Sequence, residues 1–330
     1  MEANHGIRIA GTGRAVPDKI LSNEDLSHIV DTTDEWIFSR TGIKRRHVIT
    51  EDQKNSDFAS AAGRLALEDA GIAPEDLDFI IIATVTGDFI FPSTAVVVQE
   101  ILGAKNATAW DISAACAGWL FGISQAKALL KAGAGKRALV IGSEMLTKIT
   151  NWKDRSTCVL FGDGAGAVVL EACDPEDNGI LASWTRTDGS LIHLLNAPIG
   201  GTAVPLTHEN LDSGGDKITM AGREVFKYAV RNMGQAAVEA LKQAGVSANE
   251  VDMLIPHQAN VRIMDALAKH LDFPLEKVYK NIEEYGNTSA ASIPIAFDEA
   301  RRLGLAKPGD KILMVAFGGG LTWGSTLFQL

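Results

Sequence analysis

Ala70-Gly-Ile-Ala-Pro-Glu-Asp-Leu-Asp-Phe-Ile-Ile81 is answered about 174 residues later by Ala244-Gly-Val-Ser-Ala-Asn-Glu-Val-Asp-Met-Leu-Ile255. Each stretch reads as a helix end closed by glycine, a polar turn and an apolar strand. The helix before the turn repeats too, with Ala61, Ala62 and Leu67 answered by Gln235, Ala236 and Leu241. Further on, Gly135-Lys-Arg-Ala-Leu-Val-Ile141 lines up with Gly309-Asp-Lys-Ile-Leu-Met-Val315 at the same offset. One gap-free offset shared by widely separated segments argues for two copies of one α/β unit, each a mixed sheet wrapped by helices. The halves are residues 1–170 and 171–330. The stretch from about Glu171 to Met220 finds no counterpart at this offset and reads as the link between them.

Within the first copy, a strand is expected at Ile7–Gly11. A helix capped by Ser56 runs to Gly71, and Asp78–Val85 is a strand apolar enough to be buried on both faces. A helix over Ser93–Leu102, a strand over Ala107–Ile112, a helix over Ala115–Lys131 and a strand over Lys136–Ser143 follow. Thr157–Leu170 reads as two short apolar segments around a glycine turn. That stretch, Gly162-Asp-Gly-Ala-Gly166, lacks the lysine and the following helix of a phosphate loop, so a tight turn or close backbone packing is the better reading. Lys44-Arg-Arg-His47 reads as a solvated basic turn.

The 330 residues carry a formal net charge of -10, which argues against a general binder of nucleic acid or anionic membrane. No apolar run reaches transmembrane length, and the N-terminal residues lack the pattern of a signal peptide. The three cysteines, Cys116, Cys158 and Cys173, suit neither a disulfide framework nor a metal knuckle, and the seven histidines show no ligand spacing. A soluble cytoplasmic protein without a bound metal is the expectation.

Cys116 falls where a strand meets an apolar helix, in Asp111-Ile-Ser-Ala-Ala-Cys-Ala-Gly-Trp119. Free N–H groups and the helix dipole at such a junction favour a thiolate and a lowered thiol pKa. A small buried cysteine in a packed helix is the plainer alternative. The repeat adds two partners. His257, in Ile255-Pro-His-Gln-Ala-Asn-Val-Arg262, corresponds to Ala83 at the end of the first buried strand. Asn287 lies in Tyr285-Gly-Asn-Thr-Ser-Ala-Ala-Ser292, the counterpart of the Cys116 stretch. A pseudo-twofold axis would bring these strand ends together. Separately, Trp36 and Arg40 stand four apart, on one helix face, as core packing or as a platform for a flat ligand.

Taken together, Asp111–Gly118, His257-Gln-Ala-Asn260, Gly286-Asn-Thr-Ser-Ala-Ala-Ser292 and Phe317-Gly-Gly-Gly-Leu-Thr-Trp-Gly324 resemble the thiolase-like superfamily. The resemblance is close to its bacterial β-ketoacyl-acyl-carrier-protein synthase III branch, and it covers essentially the whole chain. The pairing of histidine with asparagine separates this branch from the elongating synthases, which use two histidines. The resemblance implies a five-layered αβαβα sandwich and a homodimer. It implies joining an acyl-CoA primer, often acetyl-CoA, to malonyl-acyl-carrier-protein with loss of carbon dioxide. Coenzyme A thioesters are then substrates, and no cofactor is expected.

In that reaction Cys116 would take the acyl group, and His257 Nε2 and the Asn287 amide would hold the enolate oxygen of the decarboxylating malonyl group. The Cys116 and Gly319 N–H groups would form the oxyanion hole of the acyl-transfer step. By resemblance, Trp36 and Arg155 sandwich the adenine of coenzyme A and Arg40 lies near its phosphates. Phe91 lines the acyl pocket across the dimer, with Trp119 and Phe317; Trp119 stands where the family often has Phe. The carrier protein would dock on Gln258, Ala259, Asn260, Val261, Arg262 and Lys269, with Arg223 and Lys227 on another helix, a basic patch facing an acidic partner. A chalcone-synthase-like polyketide former would share the three site residues. A degradative thiolase would carry a second cysteine late in the chain, and none lies after Cys173. A non-catalytic partner of the same fold should have lost a site residue.

Overall fold

The structure is a computed structural model that describes residues 5–177 and 179–330. The first sheet contains β1 (Gly6–Ala15), β2 (Phe79–Ala83), β3 (Thr108–Ile112), β4 (Arg137–Met145) and β5 (Asp163–Cys173), in the order β1-β5-β4-β2-β3. The second contains β6 (Ile180–Thr187), β7 (Met253–Pro256), β8 (Lys311–Gly318) and β9 (Thr322–Gln329), in the order β6-β9-β8-β7. The polarity matches strand for strand. β1 and β6 run antiparallel to β5 and β9, these are antiparallel to β4 and β8, and the next pair along is parallel.

Helices α1 (Asp34–Thr41), α2 (Asn55–Ala70), α3 (Thr94–Leu102), α4 (Gly118–Lys131), α5 (Gly222–Ala244), α6 (Val261–His270) and α7 (Ser292–Arg302) dress the sheets. α2 and α3 cover the outer face of the first sheet, and α5 and α6 cover that of the second. α4 and α7 lie between the sheets, in one apolar core with residues from both. The result is the expected five-layered αβαβα sandwich. β1 and β6 begin at Gly6 and Ile180, β2 and β7 at Phe79 and Met253, β4 and β8 at Arg137 and Lys311, and α4 and α7 at Gly118 and Ser292. Each pair is 174 residues apart.

Four expectations need correcting. The stretch 171–220 is not only a link. Its residues Ile180–Thr187 form β6, the counterpart of β1 at the common offset, hydrogen-bonded along β9. Gly162–Gly166 is not a turn, because Asp163 opens the eleven-residue strand β5. Its glycines let the second copy approach: a Cβ on Gly166 would lie 2.6 Å from the Ile295 nitrogen and 2.7 Å from the Pro294 carbonyl carbon. Ser56 sits inside the first turn of α2 and Lys54 takes the cap position. In the basic turn, Arg46 is fully buried. Its guanidinium donates to the Leu21 and Val159 carbonyls and to Asn23 Oδ1. Burial without a carboxylate partner draws that guanidinium down to about 10. Among the described residues no helix is long and apolar enough to cross a membrane.

Candidate active site

β2, β4, β7 and β8 point their carboxyl ends at one region between the halves, where ligands of such sheets collect. A cavity of about 660 Å³ opens there, and Cys116, His257, Asn287, Phe317 and Gly319 all line it. Trp36 and Arg40 also line it, and Leu146, Ile149 and Ile263 make its wall largely apolar.

Two matching elbows deliver the reacting groups. Ala115 and Ser289 are counterparts at the common offset, and both hold left-handed backbone, with φ of 45° and 49°. Each opens a short 3₁₀ turn, Ala115–Ala117 and Ser289–Ala291, that runs directly into α4 or α7. The sharp reversal pushes Cys116 out at the head of α4. Gly318 permits the approach of β8, since a Cβ there would lie 2.6 Å from the Cys116 nitrogen. Thr322 adds a strut, donating to the Ala114 carbonyl at 2.8 Å.

The thiol differs from expectation. Burial pushes Cys116 up to about 12. The Ser289 hydroxyl, 3.3 Å from Sγ, pulls the other way, and the Glu144 carboxylate adds to the rise. The helix N-terminus therefore works against burial and a neighbouring anion. Glu144 is fully buried. Its Oε2 accepts from Thr86 Oγ1 at 2.6 Å, Val85 N at 3.1 Å and Thr84 Oγ1 at 3.3 Å.

His257 follows β7, and its N–H donates to the Val315 carbonyl at 2.8 Å. The ring is 3% exposed, and burial lowers it to about 3, so it is neutral near pH 7. Nδ1 lies 2.7 Å from Ser292 Oγ, which also accepts the Gln258 N–H at 3.3 Å. The Gln258 N–H fills one of the two acceptor positions of that hydroxyl; with the hydroxyl hydrogen turned to Nδ1, the ring proton sits on Nε2, the tautomer a donor into the cavity requires. Asn287 is held by backbone bonds to Leu160 and Gly162. Its Oδ1 accepts the Ser289 N–H at 2.9 Å, which fixes the amide and leaves Nδ2 as a donor.

Around the rim, the guanidinium carbons of Arg40 and Arg155 lie 4.6 Å and 4.8 Å from the Trp36 ring centre. Arg155 also donates to the Asp31 carbonyl at 2.7 Å. Arg262 and Lys269 are exposed on α6, and Arg223 and Lys227 are exposed on the first turns of α5, with Arg223 on the cavity lining. Asn260 caps α6 and ties it to α1 through the Arg40 carbonyl, and Arg262 reaches the Ser39 carbonyl.

Two sequence expectations fail here. Gln258 offers no docking surface: it is buried, with Nε2 on the Pro256 carbonyl at 2.7 Å and Oε1 on the Asn281 N–H at 3.0 Å. Its half-buried neighbours are also occupied, Ala259 in the cavity lining and Val261 against Gly42. Trp119 does not line the cavity. It is 1% exposed in the core between the sheets, with its indole N–H on the Val140 carbonyl. Phe91 lies outside the cavity of this chain, 84% exposed beside Ile90 at 99%. Sequence reasoning missed Glu144, Ser289 and Ser292 as site members. An acidic residue just before the end of a strand that is apolar from Ala138 to Gly142 was the available signal for Glu144.

A family model described as 3-oxoacyl-[acyl-carrier-protein] synthase III matches residues 110–189, and its C-terminal companion matches residues 241–330. The β-ketoacyl-[acyl-carrier-protein] synthase III of Caldanaerobacter subterraneus is 52% identical over 321 residues, 97% of each chain. The crystal structure of 3-oxoacyl-[acyl-carrier-protein] synthase III from Aquifex aeolicus superposes with a TM-score of 0.91 at 50% identity, covering 98% of this chain and 100% of that one. A priming β-ketosynthase of a polyketide biosynthetic pathway superposes at 0.92 with 34% identity, covering 100% and 98%. On the strength of the repeat, the paired elbows and these matches, the chain belongs to the β-ketoacyl-[acyl-carrier-protein] synthase III family.

Proposed function

We propose that this protein performs the initiating condensation of fatty acid biosynthesis: an acyl-CoA primer, acetyl-CoA first among them, joins malonyl-acyl-carrier-protein to give a 3-oxoacyl-acyl-carrier-protein, carbon dioxide and free CoA. The observation that carries this is the convergence of Cys116, His257 and Asn287, drawn from both halves, on one apolar cavity. Cys116 attacks the primer thioester, and the Cys116 and Gly319 N–H groups receive the oxyanion. Malonyl then loses carbon dioxide, and the enolate oxygen takes hydrogen bonds from His257 Nε2 and Asn287 Nδ2. Both donors are neutral, so they stabilise growing charge without a proton change of their own. The enolate carbon attacks the acyl group on Cys116 and frees the thiolate. This chemistry asks for no bound cofactor.

Adenine stacking on Trp36 would take place where Arg155 now lies, so that guanidinium moves to the outer face of the base or swings aside. The cations Arg262, Lys269, Arg223 and Lys227 make a local basic rim on an acidic protein, suited to an acidic carrier. The Phe89-Ile90-Phe91 tip, with exposures of 61, 99 and 84%, is an apolar surface that a second copy would bury, with Phe91 closing its acyl pocket. A priming role in secondary metabolism is a second reading, favoured by the polyketide neighbour. The purified protein should convert malonyl-acyl-carrier-protein to a 3-oxoacyl product at rates compared across acetyl, branched and longer acyl-CoAs. An acetyl optimum supports the first reading and a distinct preferred primer the second. No product with any primer overturns both.

A further inference from the structure

We propose that Ser289 and Glu144 form a two-step proton path for the Cys116 thiol. The inference rests on Cys116 being the acylated nucleophile. Ser289 Oγ lies 3.3 Å from Cys116 Sγ and 3.2 Å from Glu144 Oε1. A hydroxyl has one hydrogen, so it serves both neighbours in only two ways. With a thiol and a carboxylate, S–H donates to Oγ and Oγ–H donates to Oε1. With a thiolate and a carboxylic acid, Oε1–H donates to Oγ and Oγ–H donates to sulfur. The two states differ by one proton moved one step along each link, with no heavy atom displaced.

The surroundings of Glu144 favour Oε1 as the receiving atom. Thr84, Val85 and Thr86, from the loop after β2, occupy Oε2. Asn55, at the head of α2, supports that loop through Thr84 Oγ1 and the Thr86 carbonyl. The other titratable groups nearby are engaged elsewhere. Asp163, next to the facing position on β5, takes the Ile49 and Thr147 N–H groups, Asp88 takes that of Ser56, and His257 is held by Ser292. Burial pushes the Glu144 carboxyl up to about 7, close to neutrality. The same carboxylate raises the thiol, so protonating it removes a charge that opposes the thiolate.

In acylation, the Cys116 proton passes to Ser289 as the Ser289 proton passes to Glu144. The thiolate bonds to the thioester carbon, and the carbon–sulfur bond to CoA breaks. The departing CoA thiolate then takes its proton back along the same path, so Glu144 ends ionised and the step is balanced. Ser289 touches the reacting sulfur, whereas Glu144 acts only through Ser289.

The test measures acylation of Cys116 by acetyl-CoA across pH 6–9, by intact mass, for wild type, Glu144→Gln and Ser289→Ala. Malonyl decarboxylation is measured in parallel. Ser289→Ala keeps the N–H that orients Asn287, and its counterpart Ala115 holds the same left-handed backbone as an alanine. Both variants should acylate about 10²-fold more slowly and lose the rise in rate through about pH 7, while decarboxylation stays within about threefold of wild type. Wild-type acylation rates or an unchanged pH profile in either variant would overturn the path. Equal losses in both half-reactions would also overturn it, because the pair would then only shape the elbow. A wild-type protein that takes no acyl group at Cys116 would instead defeat the proposed function itself.

Discussion

Replacing Ser292 by alanine removes one oxygen that touches no substrate. Its Oγ lies 2.7 Å from His257 Nδ1, with both residues buried. Without it, Nδ1 is a buried acceptor with no partner, which costs about 1–3 kcal/mol. An Nδ1–H would be a buried donor equally without a partner, so the preference that holds the proton on Nε2 is lost and the imidazole donates to the enolate less of the time. At about 1.4 kcal/mol per factor of ten, decarboxylation should fall roughly 5- to 150-fold. The Gln258 N–H loses only a 3.3 Å contact, and Gln258 stays anchored by Pro256 and Asn281. Acylation of Cys116 should change little, because Nε2 faces the malonyl step. The assay is single-turnover release of carbon dioxide from malonyl-acyl-carrier-protein, alongside acetyl transfer to the enzyme. Unchanged decarboxylation with a folded protein would refute the tautomer argument, and a loss confined to acylation would place His257 on the wrong half-reaction.

His257→Ala and Asn287→Ala should each slow decarboxylation by a factor on the order of 10²–10³ while still accepting acyl groups, judged by the same two rates. A histidine drawn down to about 3 stays neutral above that value, so His257 should add no ionisation to the wild-type decarboxylation profile between pH 5 and 9; a step assigned to His257 in a titration followed by NMR would contradict this. Gly318→Ala forces a Cβ to within 2.6 Å of the Cys116 nitrogen, and a shift approaching 1 Å there should cost about 10² in acylation rate. Arg262→Glu with Lys269→Glu should depress condensation with the carrier substrate more than acylation by CoA, and the wild-type condensation rate should fall as salt rises, with screening at about 8 Å under physiological conditions. Equal losses in the two rates would assign Arg262 to its Ser39 contact and the fold.

The fold was legible because it is written twice. Ala70–Ile81 and Ala244–Ile255 share enough residues to reveal one unit, and the unit fixes both sheets. β6 escaped because Ile180–Thr187 keeps the position of β1 but not its residues; edge strands need only alternate, and theirs alternates loosely. Cys116, His257 and Asn287 were legible through the offset, which placed them at equivalent ends. Glu144 left only the trace of an acid near the end of an apolar strand, and Ser289 and Ser292 left none, because each acts through a partner remote in sequence. Arg46 misled because a basic run usually faces water, and only the Leu21 and Val159 carbonyls and Asn23 make its burial tolerable. Gln258 and Trp119 misled differently. Gln258 adjoins His257, and successive residues beside a strand end leave by different faces; Trp119 lies three residues after Cys116, but Cys116 sits in the 3₁₀ turn ahead of α4, whereas Trp119 belongs to α4 itself and packs into the core between the sheets.

The central claim is that Cys116 carries the acyl group between the two half-reactions. Its most direct test is intact-protein and peptide mass spectrometry after mixing with acetyl-CoA, followed by a chase with malonyl-acyl-carrier-protein. The wild-type protein should gain one acetyl group on the peptide holding Cys116 and lose it in the chase as the 3-oxoacyl product appears. Cys116→Ser should gain none, while Cys158→Ala and Cys173→Ala behave as wild type. An acetyl group on any other residue, or one on Cys116 that survives the chase, would contradict the account.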